Sequence, residues 1–225
     1  MGWAEWARGV VVEPSLYAAD FARLGEQIET LLDAGVSVFH FDVGDGHFVP
    51  PVTIGPIVLQ SISPIVRAGG GIVDVHLMTE HPERHFEAVR DAGGDSVTVH
   101  VEACPDLPAV LAHARSLGLG AGLSFKPGTS PEAAAAAAGE GFDLVLCMSI
   151  EPGYSGQPFM PEALPRIRRL RELLPPGMPI QVDGGIGEGN ARSVVEAGAT
   201  LLVAGSAIFG KADIAAAYRS ILDAA

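Results

Sequence analysis

Four residues of this chain combine the types and spacing that metal-assisted proton transfer requires. His40 and Asp42 stand two apart in Val38-Phe39-His40-Phe41-Asp42-Val43-Gly44-Asp45-Gly46-His47. Side chains alternate faces along a strand, so Val38, His40 and Asp42 share one face, and an imidazole and a carboxylate reach toward the same point. His76 lies near the end of Asp74-Val75-His76-Leu77-Met78, and Asp183 precedes a glycine pair in Gln181-Val182-Asp183-Gly184-Gly185. Two imidazoles and two carboxylates make a mixed nitrogen and oxygen set suited to one divalent ion, Zn²⁺, Fe²⁺, Mn²⁺ or Co²⁺, with positions left for substrate oxygens. Two aspartates flanking a bound hydroxyketone give a further capacity. One removes the proton alpha to the carbonyl and the other returns a proton to the opposite face. Such chemistry inverts one carbon and needs no organic cofactor. Taken singly, His40 reads as a strand histidine and Asp42 or Asp183 as a turn-opening carboxylate; recurrence at strand ends is what points to a site.

The elements that position these residues follow from periodicity. Short apolar runs predict strands at 10–15, 36–43, 72–77, 95–101, 119–124, 143–148, 179–183 and 200–205. Between and after them, apolar residues at helical spacing predict helices. The first is capped by Asp20, carries Phe21, Leu24, Ile28, Leu31 and Leu32, and stops at Gly35; the others lie near 55–66, 82–92, 106–117, 130–138, 160–173, 189–197 and 212–223. Eight strands each followed by a helix predict an α/β fold, a single (β/α)8 TIM barrel over residues 1–225 with residues 1–9 as an N-terminal extension. Trp3 and Trp6 are expected on a short helical turn that covers the barrel's bottom or meets a second subunit. A barrel of this kind opens only where strands end. The polar residues there are Ser15, His40 with Asp42, His76, His100 with Glu102, Ser124 with Lys126, Ser149, Asp183, and Gly205 with Ser206. Gly184-Gly185, Ala204-Gly205-Ser206 and the loop Pro152 to Gln157 follow the last three strands, where backbone N–H groups of such barrels bind phosphate. A phosphorylated ketose is the implied substrate class.

Composition bounds the rest. A chain of 225 residues, 48% hydrophobic, buries a core of one domain. The formal net charge of −13, from 14 basic against 27 acidic residues, argues against a nucleic-acid partner. Arg166, Arg168, Arg169 and Arg171 sit at helical spacing and read as a solvated face. Cys104 and Cys147 lie in apolar surroundings and read as reduced core thiols. No run approaches the roughly 20 apolar residues of a membrane span, and the first nine lack the apolar core of a signal peptide, so no membrane partner and a cytoplasmic location are expected.

Longer motifs then resemble a known family. Glu-Pro-Ser-Leu with Ala-Asp-Phe-Ala-Arg-Leu at 13–24, His40-x-Asp42-x-x-Asp-Gly-His-Phe-Val-Pro, Thr-Ile-Gly-Pro at 53–56 and Asp-Val-His-Leu-Met at 74–78 belong to the pattern. So do Pro-Gly-Thr at 127–129, Glu-Pro-Gly-Tyr-Ser-Gly-Gln at 151–157, Val-Asp-Gly-Gly-Ile at 182–186 and Val-Ala-Gly-Ser-Ala-Ile-Phe-Gly at 203–210. Jointly they resemble the ribulose-phosphate 3-epimerase family, from about Val10 to Ile221. The resemblance implies a barrel of the ribulose-phosphate-binding type that interconverts D-ribulose 5-phosphate and D-xylulose 5-phosphate, as a homo-oligomer. It implies that His40, Asp42, His76 and Asp183 hold the ion, with Asp42 the proton acceptor and Asp183 the donor. Ser15, His76, Gly153, Tyr154, Ser155, Gly156, Gly184, Gly185, Gly205 and Ser206 are the implied substrate and phosphate contacts, with Met78 and Met148 lining the pocket. Gly44 stands where the family usually has Met, which predicts space or freer backbone in the pocket wall. Leu16-Tyr17-Ala18 and Tyr154-Ser155 also depart from the pattern, as do Lys126 and Glu151. These departures keep another ketose phosphate, such as allulose 6-phosphate with fructose 6-phosphate as its epimer, or a silent sugar-phosphate-binding paralogue, as alternatives. A Schiff-base aldolase would need Lys126, the one lysine at a strand end.

Overall fold

The computed structural model describes residues 2–225; Met1, the first residue of the expected extension, lies outside the described residues. Eight strands, β1 (Val11–Pro14), β2 (Val38–Gly44), β3 (Ile72–Met78), β4 (Ser96–His100), β5 (Gly120–Phe125), β6 (Leu144–Met148), β7 (Ile180–Asp183) and β8 (Leu201–Ala204), pair in parallel. Their order is β1-β8-β7-β6-β5-β4-β3-β2. Between the two end strands, Ser15 forms a parallel bridge with His40 and brings the sheet round into a barrel. The expected (β/α)8 architecture is therefore the observed one.

The strands are buried on both faces, as parallel sheets require; the outer face is apolar, whereas the inner face turns polar above an apolar floor. Phe39 and Phe41 of β2, Val75 and Leu77 of β3, and Leu123 and Phe125 of β5 point outward, fully buried under the helices. On the inner face, Val38, Leu144, Leu146 and Leu201 pack with Trp3 to form the barrel floor. Trp3 opens α1 (Trp3–Trp6), is 2% exposed and meets Trp6 edge to face at 5.5 Å. The expected tryptophan turn thus covers the bottom of the barrel.

Around the strands lie α2 (Leu24–Asp33), α3 (Pro56–Ala68), α4 (Phe86–Asp91), α5 (Leu107–Ser116), α6 (Pro131–Ala138), α7 (Ala163–Leu173), α8 (Glu188–Glu196), α9 (Ser206–Phe209) and α10 (Ile214–Ala224). Side chains of Asp106, Ser130 and Asp213 cap α5, α6 and α10 by accepting from backbone N–H groups in the first turn. Two expected helices start differently. Asp20 caps a 3₁₀ turn, Phe21–Arg23, before α2 begins, which leaves Phe21 half-exposed and outside the buried stripe. The 82–92 segment likewise opens as a 3₁₀ turn, Pro82–His85, before α4.

The reading of the arginines needs correction. Arg168 and Arg169 are exposed, but Arg166 donates to the carbonyls of Met148 and Lys126 and lies over the Phe125 ring, bracing the ends of β5 and β6. Arg171 donates to the carbonyls of Pro175 and Met178. Cys104 and Cys147 are free and buried, as expected. Among the described residues, no helix is long and apolar enough to cross a membrane.

Candidate active site

His40 and Asp42 project from β2 into the upper barrel, where His76 of β3 and Asp183 of β7 meet them. One ligand atom from each of the four lies within 4.8 Å of all the others. Asp42 Oδ1 is 3.2 Å from His40 Nε2 and 3.0 Å from His76 Nδ1, and Asp183 Oδ2 is 3.8 Å from His76 Nδ1. Ser15 donates to the other oxygen, Asp42 Oδ2, at 2.6 Å. Both histidines are fully buried, and although carboxylate oxygens lie 3.2 and 3.3 Å from its two nitrogens, His40 makes no well-aligned hydrogen bond among the described residues. Imidazole nitrogens without such a bond in the interior are costly unless something completes them. A convergent set of two nitrogens and two carboxylates around them fits a divalent cation.

The two aspartates differ in their charge environment. Burial raises the cost of ionising Asp42, but His40 and His76 outweigh it and hold this carboxyl well below the usual range. Asp183 is pushed up to about 6 by burial and by the negative charge of Asp42. Paired acids driven apart in this way are suited to opposite roles in proton transfer.

A polar layer lies directly beneath. Asp74 Oδ2 approaches His40 Nδ1 at 3.3 Å, and Glu13 Oε2 approaches it at 3.8 Å. Gln181 Nε2 donates to both carboxylates, at 2.6 Å to Glu13 and 3.0 Å to Asp74. Ser96 and Thr98 donate to Asp74 Oδ1. Sequence reasoning assigned no role to Glu13, Asp74 or Gln181. Their signal was present: each stands two residues before a site residue on its own strand, so it shares that residue's face one layer down. His100, named only as a rim residue, contacts His76 at 2.9 Å between the two Nε2 atoms.

Above the four residues a cleft opens at the strand ends. Asp42, Asp183, Ser15, Met78, Met148, Gly153, Tyr154, Ser155, Gly156, Gly184, Gly185, Gly205 and Ser206 line it, together with Tyr17, Ile150, Ile186 and Val203. Of the expected substrate contacts only His76 lies below this lining. Gly184 and Gly185 have φ of 122° and 64°, and a Cβ on Gly185 would collide with the backbone of Phe159. Glycine is therefore required where this loop packs against the 157–159 backbone. Ser149 Oγ lies 2.7 Å from the Gly184 carbonyl and fixes the same turn to β6. After β8, Gly205 caps α9, a short helix the sequence did not predict.

The expectation of space at Gly44 fails here, and so does the aldolase alternative. Gly44 leaves no space in the wall: a Cβ there would meet the Pro51 carbonyl and Val49 at 2.9 Å. The 45–53 segment closes over it, held by Thr53, whose Oγ1 accepts from the Gly44 N–H and donates to the Asp42 carbonyl. Lys126 does not line the cleft. Its ammonium lies 3.7 Å over the Phe48 ring, which leaves no imine-forming amine beside the aspartates.

Comparisons with known proteins show the family and the fold. A family model described as the ribulose-phosphate 3 epimerase family matches residues 11–209. The chain is 42% identical over 222 residues to the ribulose-phosphate 3-epimerase of Synechocystis sp., covering 96% of this chain and 94% of that one. It is 40% identical over 208 residues to the ribulose-phosphate 3-epimerase of Bacillus subtilis, covering 91% and 94%. Among solved structures, 3-hexulose-6-phosphate synthase from Salmonella typhimurium superposes with a TM-score of 0.70 at 17% identity, over 95% of this chain and 97% of that one, a likeness of fold.

Proposed function

Because the chain belongs to the ribulose-phosphate 3-epimerase family, we propose that it is an isomerase that inverts C3 of D-ribulose 5-phosphate to give D-xylulose 5-phosphate, by proton transfer between Asp42, Asp183 and substrate. The observation that carries this reading is the pair of cleft-lining aspartates with opposite charge tendencies, set over two buried imidazoles. Asp42, held ionised and oriented by Ser15, takes the C3 proton from one face. Asp183, which reaches the cleft from β7, returns one to the other face, and the roles exchange in the reverse direction. A divalent cation held by His40, Asp42, His76 and Asp183 would supply positive charge beside the oxygens of an enediolate. Gly184, Gly185, Gly205 and Ser206 offer backbone N–H groups for the phosphate, so the sugar chain lies across the aspartates.

Proton NMR in D₂O tests this directly. With metal-loaded protein and ribulose 5-phosphate, the C3 proton signal is expected to disappear as xylulose 5-phosphate forms. Asp42→Asn and Asp183→Asn should each slow formation of xylulose 5-phosphate by about 10²–10⁴-fold. Undiminished epimer formation in either variant rejects the two-aspartate mechanism. Exchange with allulose 6-phosphate but not ribulose 5-phosphate would assign a hexulose substrate, and no exchange with either, metal bound, would mark a binding protein.

A further inference from the structure

We propose that His100 and Glu102 are positioning residues that fix the tautomer of His76, so that Nδ1 presents a bare lone pair to the ion site. This inference rests on the reading of the site as a cation site. His76 Nδ1 is the nitrogen that faces Asp42 and Asp183, at 3.0 and 3.8 Å. Its other nitrogen, Nε2, lies 2.9 Å from His100 Nε2, and both rings are fully buried. Between two neutral imidazoles meeting nitrogen to nitrogen, only one can carry the proton.

Glu102 decides which. His100 Nδ1 lies 3.3 Å from Glu102 Oε2, and an ionised carboxylate is an acceptor only. His100 therefore donates from Nδ1 and must accept at Nε2. His76 then donates from Nε2, and its Nδ1 carries no proton. In the opposite arrangement a His76 Nδ1–H would point into the ligand set, and the lone pair of His100 would face a carboxylate. Glu102 is itself held in place, since its Oε1 accepts from Lys126 N at 2.8 Å and Thr129 Oγ1 at 2.5 Å. Phe48 packs on the His100 ring, with centroids 4.8 Å apart, and the planes of the His76 and His100 rings lie 26° apart. Buried partners of this kind on a ligand histidine typically matter by about 10–100-fold in metal affinity.

The test uses the full chain, labelled with ¹⁵N-histidine and loaded with Zn²⁺. Long-range ¹H–¹⁵N spectra should show His76 protonated at Nε2 only and His100 protonated at Nδ1 only. Glu102→Gln keeps an oxygen for Lys126 N and Thr129 but offers an amide N–H to His100. It should invert both tautomers and weaken Zn²⁺ binding, measured by chelator competition, by about 10–100-fold. A His76 Nδ1–H in the loaded wild type, or a Glu102→Gln protein with unchanged tautomers and affinity, overturns the inference. If the wild type takes up no Zn²⁺, the cation reading fails first. The relay then falls as well if metal-free His100 is protonated at Nε2, and stands if it is protonated at Nδ1.

Discussion

Asp42 and Asp183 carry the same carboxyl group, and their neighbours drive them apart: imidazoles surround the first, while burial and the first aspartate's charge act on the second. This difference has a thermodynamic consequence in the metal-free protein. Asp183 keeps its proton to about pH 6 when folded but releases it near 3.8 when unfolded. The fold therefore binds the extra proton between those values, and this stabilisation is complete below the lower value and lost as pH rises through the upper one. Asp183→Asn, which cannot ionise, should gain on the wild type by about 1–3 kcal/mol between pH 4.5 and 7.5. In thermal melts of metal-free protein the gap should widen by about 2–8 °C; a constant gap would mean that Asp183 titrates normally. At this scale the sequence was informative where side-chain period and strand ends coincide, as for His40, Asp42, His76 and Asp183. It was silent on the His76–His100 contact, because which nitrogens of two residues 24 apart meet depends on how two strands lie side by side.

The loops after the last three strands do their work by close approach, and Gly185 shows how little room there is. Gly185→Ala would push the 184–186 turn away from Phe159 and the Gln157 carbonyl, which a Cβ would meet at 2.9 Å. The backbone donors of this turn would then miss a phosphate. The expected result is a KM raised about tenfold or more, equivalent to about 1.4 kcal/mol or more of lost binding, with a smaller effect on kcat. Steady-state kinetics across substrate concentration checks this, and an unchanged KM would place the phosphate elsewhere. The long elements were legible, since each strand and helix shows its own period. Helix α9 was not, because four residues, Ser-Ala-Ile-Phe, are too few to display one. Arg166 was misread for a related reason: helical spacing tells which residues share a face, but not that a long guanidinium reaches back to two strand-end carbonyls.

Over the whole molecule, stability and chemistry occupy opposite ends of the barrel. Trp3 fills the floor against Val38, Leu144, Leu146 and Leu201, far down the strands from the cleft. Trp3→Ala should cost about 3 kcal/mol or more, seen as a lower denaturation midpoint, while C3 proton exchange at room temperature persists. Loss of exchange in a folded variant would show that the floor reaches the site. The barrel's closure carries another implication. Strand β1 pairs with β8, Val11 opposite Leu201, whereas among the described residues the one backbone bridge toward β2 is Ser15 to His40. That single-bridge seam lies on the short way round the barrel between β2, which carries His40 and Asp42, and β7, which carries Asp183. Loosening there would part the two aspartates while leaving the long run of paired strands from β2 to β7 intact.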